Sequence, residues 1–155
     1  MGKDFNLKIA DFDTAYVKGD GMVLGNGSRN YRAPEFVKGT KVVPKQADIY
    51  SLGICLFVMR MGMLPYVVDT QVNGKDLFKL FHSDKAAFWR AQRENSQHID
   101  SASDDLKDLF IKMTWHNPEE RLTLEKLSRN KWVNGEIYTE KELKSLMMTT
   151  YGLGA

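Results

Sequence analysis

The sequence predicts a mainly α-helical domain built around one central buried helix, with a single residual strand at the N-terminal end. Three observations predict it. Asp48 opens a run from Ile49 to Met61 that is apolar on nearly every side, the pattern of a helix enclosed by others. Leu106, Leu109, Phe110 and Met113 recur at helical spacing. Only Leu7-Lys8-Ile9-Ala10 alternates and branches like a strand, and no partner strand follows it.

The elements follow in order. After the strand, residues 11–32 read as a long loop, with turn formers at 18–21 and 25–27. Asp48 is the expected N-cap of the central helix, Gly62 stops it and Pro65 prevents its resumption. Residues 76–90, with Leu77, Leu80, Phe81, Phe88 and Trp89, predict one or two helices. Ser103 to Trp115 predicts another, with Asp104 and Asp105 in the first turn, where the helix dipole favours acids. Thr123 caps a short helix ending near Trp132. Thr139 and Glu142 form a capping box for a last helix carrying Leu143, Leu146 and Met147, expected to cap the body of the domain.

Composition narrows the function classes. The 155 residues are 43% hydrophobic and 27% charged, ordinary for a globular domain. A formal charge of +2, with Lys and Arg scattered, argues against nucleic acid and anionic membrane as partners. The apolar run at 49–61 is broken by Arg60 and falls short of the roughly 20 residues of a membrane span. Met1-Gly2 lacks the hydroxyl residue that myristoylation needs at position 6, where Asn6 stands, and no signal peptide is read at the start. Cys55 is the lone cysteine and reads as a small core residue. It points to a reducing compartment, cytoplasmic or nuclear. His82, His98 and His116 lack metal-ligand spacing and read as surface or packing residues.

Four motifs carry the functional signal. Asp11-Phe12-Asp13 ends the strand, and Asn30-Tyr31-Arg32-Ala33-Pro34-Glu35 ends the long loop. Asp48-Ile49-Tyr50-Ser51-Leu52-Gly53 opens the central helix, and Asn117-Pro118-Glu119-Glu120-Arg121-Leu122-Thr123 joins two later helices. Each is weak alone. Together, in this order and ahead of Lys131-Trp132, they resemble the eukaryotic protein kinase family, from its magnesium-binding motif to the end of the domain. The resemblance implies a kinase-like C-terminal lobe of serine/threonine type over residues 1–134, with a C-terminal extension at 135–155. The Phe88-Trp89 stretch looks most like the calmodulin-dependent-kinase-like group.

The parent activity so implied is transfer of the γ-phosphoryl of ATP to a protein Ser or Thr, with Mg²⁺. Asp11 matches the family's metal-holding aspartate, a plain loop acid being the alternative. Asp13 stands where the family has Gly. Ser28 matches the residue before the substrate-recognition segment, a turn serine beside Gly27 being the alternative. Ala33, Pro34, Glu35, Asp48 and Arg121 match structural positions, and the resemblance pairs Glu35 with Arg121. Leu24 occupies the usual position of the activating hydroxyl, so activation by loop phosphorylation is not expected.

The 155 residues contain no glycine-rich loop with a strand Lys and no catalytic His-Arg-Asp before Asp11. His98-Ile99-Asp100 imitates the latter but lies far downstream. No catalytic residue is therefore assigned, and neither ATP nor Mg²⁺ is expected to bind this chain tightly. Asn117, Leu122 and Asn130-Lys131 depart from the family pattern. A non-catalytic, pseudokinase-like binding module is the alternative reading. An unpaired strand and uncovered apolar surface favour non-specific self-association of the isolated lobe.

Overall fold

The computed structural model describes residues 7–17, 27–38, 42–96 and 99–152. Outside them lie Met1-Gly2, Asn6, the turn formers at 18–21 and 25–26, Leu24 and His98. The described helices are α1 (Pro34–Lys38), α2 (Pro44–Met61), α3 (Leu77–Ser83), α4 (Lys85–Asn95), α5 (Asp104–Met113), α6 (Leu124–Ser128) and α7 (Glu140–Tyr151). Two 3-10 turns, Arg29–Tyr31 and Ile99–Ser101, join them. The only β-pairing among the described residues is an isolated bridge between Val72 and Lys75.

The expected strand is a correction. Residues 7–10 are exposed and unpaired, because a strand's backbone groups need a neighbour and none of the described residues supplies one. The start of α2 is a second correction. The helix begins at Pro44, whose fixed φ suits the first helical position, with Val43 as N-cap. Asp48 therefore lies a turn inside the helix and caps nothing. Gly62 ends α2 at φ 72°, donating its N–H to the Val58 carbonyl at 2.8 Å.

Shorter helices start where local chemistry dictates. The carboxylate oxygens of Asp76 and Asp84 accept from the Lys79 and Ala87 N–H groups, each at 2.9 Å. This divides residues 77–95 into two helices. Ser103 and Thr123 cap α5 and α6 in the same way. The capping box of α7 is complete, Thr139 and Glu142 exchanging bonds.

Two clusters of buried residues make the core. Tyr50, Ile54, Phe57 and Met61 of α2 meet Phe81 of α3, Phe88 of α4 and Leu106 and Phe110 of α5. Ile49, Leu109, Met113 and Leu127 make a second, smaller cluster. The helices α2 and α5 approach closely at Gly53, where a Cβ would come within 2.7 Å of Thr114 Cγ2. The burial of α2 is nonetheless one-sided: Leu52 and Met59 are exposed and Cys55 is only half-buried. Burial pushes the Cys55 thiol up, away from the reactive thiolate. The helix α7 has no fully buried residue; Leu143 and Met147, four residues apart, are half-buried. Among the described residues, no helix is long and apolar enough to cross a membrane.

Lys85 is a basic group in this core's margin. Its ammonium donates to the Phe81 carbonyl and lies 3.7 Å from the Phe81 ring centre. Burial still pushes its pKa down from 10.5 to about 8. Between those values the unfolded chain binds a proton that the folded chain does not, so stability rises with pH. Tyr50 opposes this only above its unfolded value of 10.0, because burial raises its folded value to about 12. Lys85→Met is therefore expected to flatten the rise in urea midpoint between pH 8 and pH 10. Equal slopes in the two proteins would contradict it.

Candidate functional site: the segment from Gly27 to Glu35

Residues 27–35 cross the start of α2 and are tied down at several points. The Ser28 carbonyl accepts from the Tyr31 N–H at 3.0 Å, closing the first 3-10 turn. The Arg32 Nε donates to the Gly27 carbonyl at 2.7 Å. The Asn30 side-chain oxygen accepts from the Val68 N–H at 3.1 Å, and Ser51 Oγ of α2 donates to the Tyr31 carbonyl at 2.9 Å. Arg29 pairs with Asp69 at 2.7 Å, but both side chains are exposed, so this pair contributes little.

The strongest tie is at the C-terminal end of the segment. Arg121 Nη1 and Nη2 meet Glu35 Oε1 and Oε2 at 2.9 and 3.0 Å, a two-pronged charge-assisted contact. The side chains are 0% and 2% exposed. Two further N–H groups of the guanidinium are also used: Nε bonds the Trp115 carbonyl at 2.9 Å and Nη1 the Gln46 carbonyl at 2.7 Å. Arg121 thus joins the loop before α6, the start of α2 and the end of the 27–35 segment. Its guanidinium also lies 5.0 Å from the Tyr50 ring centre. The Tyr50 and Tyr66 hydroxyls hydrogen-bond each other beneath it, and burial holds both pKa values well above the ordinary phenol range. Ala33 and Pro34 are buried beside Glu35.

The other predicted positions stand apart from this cluster. Ser28 is exposed and its hydroxyl makes no capping bond. Asp48 is exposed on α2, and desolvation raises its pKa. Asp11 is exposed, with its backbone at φ 63°, a left-handed conformation that Asp tolerates better than most residues. Asp13, which stands at the glycine position, does not need that conformation. Magnesium takes several oxygen ligands in strict geometry. Among the described residues no three His, Cys, Asp or Glu side chains gather to hold a metal.

Sequence reasoning missed the hydroxyl pairing of Tyr66 with Tyr50, which spans 16 residues. It also missed the contact of His82 and His116, whose Nδ1 atoms lie 3.4 Å apart. Neither pairing has a sequence signal. The anchoring roles of Asn30 and Ser51 had one, since both lie inside the family motifs.

Comparison with known proteins places this geometry. The model of the protein kinase domain family matches residues 1–133. A probable serine/threonine-protein kinase MARK-B of Dictyostelium discoideum is 31% identical over 136 residues, 86% of this chain and 18% of the relative. The SNF1-like protein kinase ssp2 of Schizosaccharomyces pombe is 32% identical over 136 residues, 86% of this chain and 21% of the relative. Testis-specific serine/threonine-protein kinase 1 of Mus musculus is 30% identical over 140 residues, 86% of this chain and 35% of the relative. The chain thus spans between 18% and 35% of the length of these relatives. With the family model matching residues 1–133 of 155, the chain belongs to the protein kinase domain family.

Proposed function

We propose that this chain is part of a serine/threonine protein kinase, contributing the C-terminal lobe's substrate-facing segment. The observation that carries the reading is the Glu35–Arg121 pair. It physically joins two of the motifs that run in family order along the chain. In this reading the whole protein transfers the γ-phosphoryl of ATP to a protein Ser or Thr. Asp11 is the chain's contribution to holding Mg²⁺, and Ser28 borders the peptide substrate. Glu35, Arg121, Ala33 and Pro34 fix that border on the helical body, and Asp48 faces the catalytic loop. Residues 1–134 belong to the catalytic domain and 135–155 to an extension carrying α7. The Phe88-Trp89 stretch supports a calmodulin-dependent-kinase-like subgroup.

Residues 1–155 include neither the strand Lys nor the catalytic loop, so the isolated chain is expected to have no activity. Loss of a general base alone typically costs about 10²–10⁴ in rate. Purified chain should transfer no label from γ-labelled ATP to a generic protein substrate. Transfer above a heat-killed control, abolished by Asp11→Ala, would overturn that reading of the isolated chain. Asp13, Asn117 and Leu122 depart from the family pattern and favour a second reading, a non-catalytic binding module. The nucleotide sequence upstream of Met1 separates the two. An in-frame His-Arg-Asp segment and strand Lys support the enzyme, and a stop codon supports the module.

A further inference from the structure

We infer that the groove between α4 and α5 is a docking site for an acidic peptide segment with an apolar anchor residue. The groove is an open depression of about 490 Å³, floored by Trp89 and Ile99. Arg90 and Arg93 of α4 and Lys107 of α5 line it. A narrower slot continues it past Trp89 and Lys107 to Arg60 at the end of α2. None of these residues belongs to the 27–35 segment or its anchors.

The charge balance is uneven. Four cations, Arg60, Arg90, Arg93 and Lys107, face two acids, Asp100 and Asp104. Four less two leaves +2, equal to the formal net charge of the entire chain. The acids are poor partners. Asp100 meets Arg93 at 3.2 Å with both side chains mostly exposed. Asp104 stands 3.7 Å from Lys107 with its own side chain fully in solvent. Lys107, by contrast, is only 19% exposed. Arg60 is held in place by the Ser101 carbonyl and Oγ, at 2.8 and 3.0 Å, without a carboxylate. Nearby Glu94 and Asp105 are committed elsewhere, to Lys75 and Lys131.

These features favour a carboxylate-bearing partner. Cations on three helices around a half-buried indole offer a ligand both charge and apolar contact. Peptide carboxylates would displace the exposed Asp100 and Asp104, whose pairs contribute little. An aromatic or aliphatic side chain between them would rest on Trp89, where burial of apolar area adds to the electrostatic attraction. Regular polyanions offer charge without that anchor.

The test is fluorescence anisotropy on the full chain. The probe is a fluorescein-labelled peptide with a central leucine flanked by glutamates. A matching peptide with serine at the centre and an anionic phosphatidylserine vesicle are the comparisons. Binding should weaken with added salt and fall about tenfold in Arg90→Glu. Replacing the central leucine should also weaken it. Lys144→Glu, on exposed α7, should leave it unchanged. Arg93→Glu provides a second exposed charge reversal, so circular dichroism can confirm that at least one variant is folded. Equal binding by wild type and both groove variants would overturn the proposal. So would equal loss in Lys144→Glu, no dependence on the central leucine, or preference for the vesicle. Because the groove shares no residue with Asp11 or Ser28, these outcomes are independent of kinase activity.

Discussion

Arg121→Ala is expected to lower the free energy of unfolding by about 3–5 kcal/mol, the usual cost of removing one partner of a buried ion pair. The variant would strand the Glu35 carboxylate among residues that exclude water. It would also remove the donor from the Trp115 and Gln46 carbonyls. Glu35→Ala should be costly for the same reason, leaving a guanidinium without its counter-charge. The double variant should lose clearly less than the sum, because the second change removes the charge that the first left unpaired. Arg121→Lys should rescue little, since an ammonium cannot reproduce the two-pronged contact and both carbonyl bonds together. Arg29→Ala breaks an exposed pair and should stay within about ±0.5 kcal/mol. Denaturant unfolding of these variants measures all of this. Additive losses, or an Arg121→Ala effect as small as that of Arg29→Ala, would show that the pair does not clamp the segment.

Phe81→Ala is expected to cost a similar amount, about 3–5 kcal/mol, by a different route. Phe81 is fully buried where α3 meets the core. Its ring centre lies 5.7 Å from Tyr66, 4.9 Å from Phe88 and 5.3 Å from Phe110. Truncation removes apolar burial and leaves a cavity that rings held on α4, α5 and the loop after α2 cannot collapse to fill. It also removes the face that the Lys85 ammonium covers. Phe81→Leu should recover a large part of the loss by refilling the volume. Ile137→Ala, 85% exposed, is the matched control and should change little. Urea midpoints at fixed pH measure these differences. A Phe81→Ala loss below about 1 kcal/mol would mean that α3 does not pack as described.

The features legible in the sequence are local, or are ordered along the chain. Thr123 and the Thr139–Glu142 box were legible because a cap bonds an N–H only three residues away. Gly62 was legible as a stop because a left-handed φ suits a residue without a Cβ. Family membership was legible because four motifs keep their order. The start of α2 was misread at Asp48, since a good cap residue competes poorly with Pro44, whose φ is already helical. The strand at 7–10 was misread because alternation specifies a face, while a ladder needs a neighbour. Long-range packing settled which sides of an all-round apolar α2 are covered, leaving Leu52 and Met59 exposed. It brought Tyr50 to Tyr66 and His82 to His116, and gathered four cations around Trp89. It also enclosed Glu35 and Arg121, 86 residues apart, in one water-excluded contact. The difference is one of range. Caps and turns are satisfied within a few residues, whereas burial and distant pairing depend on the path of the whole chain.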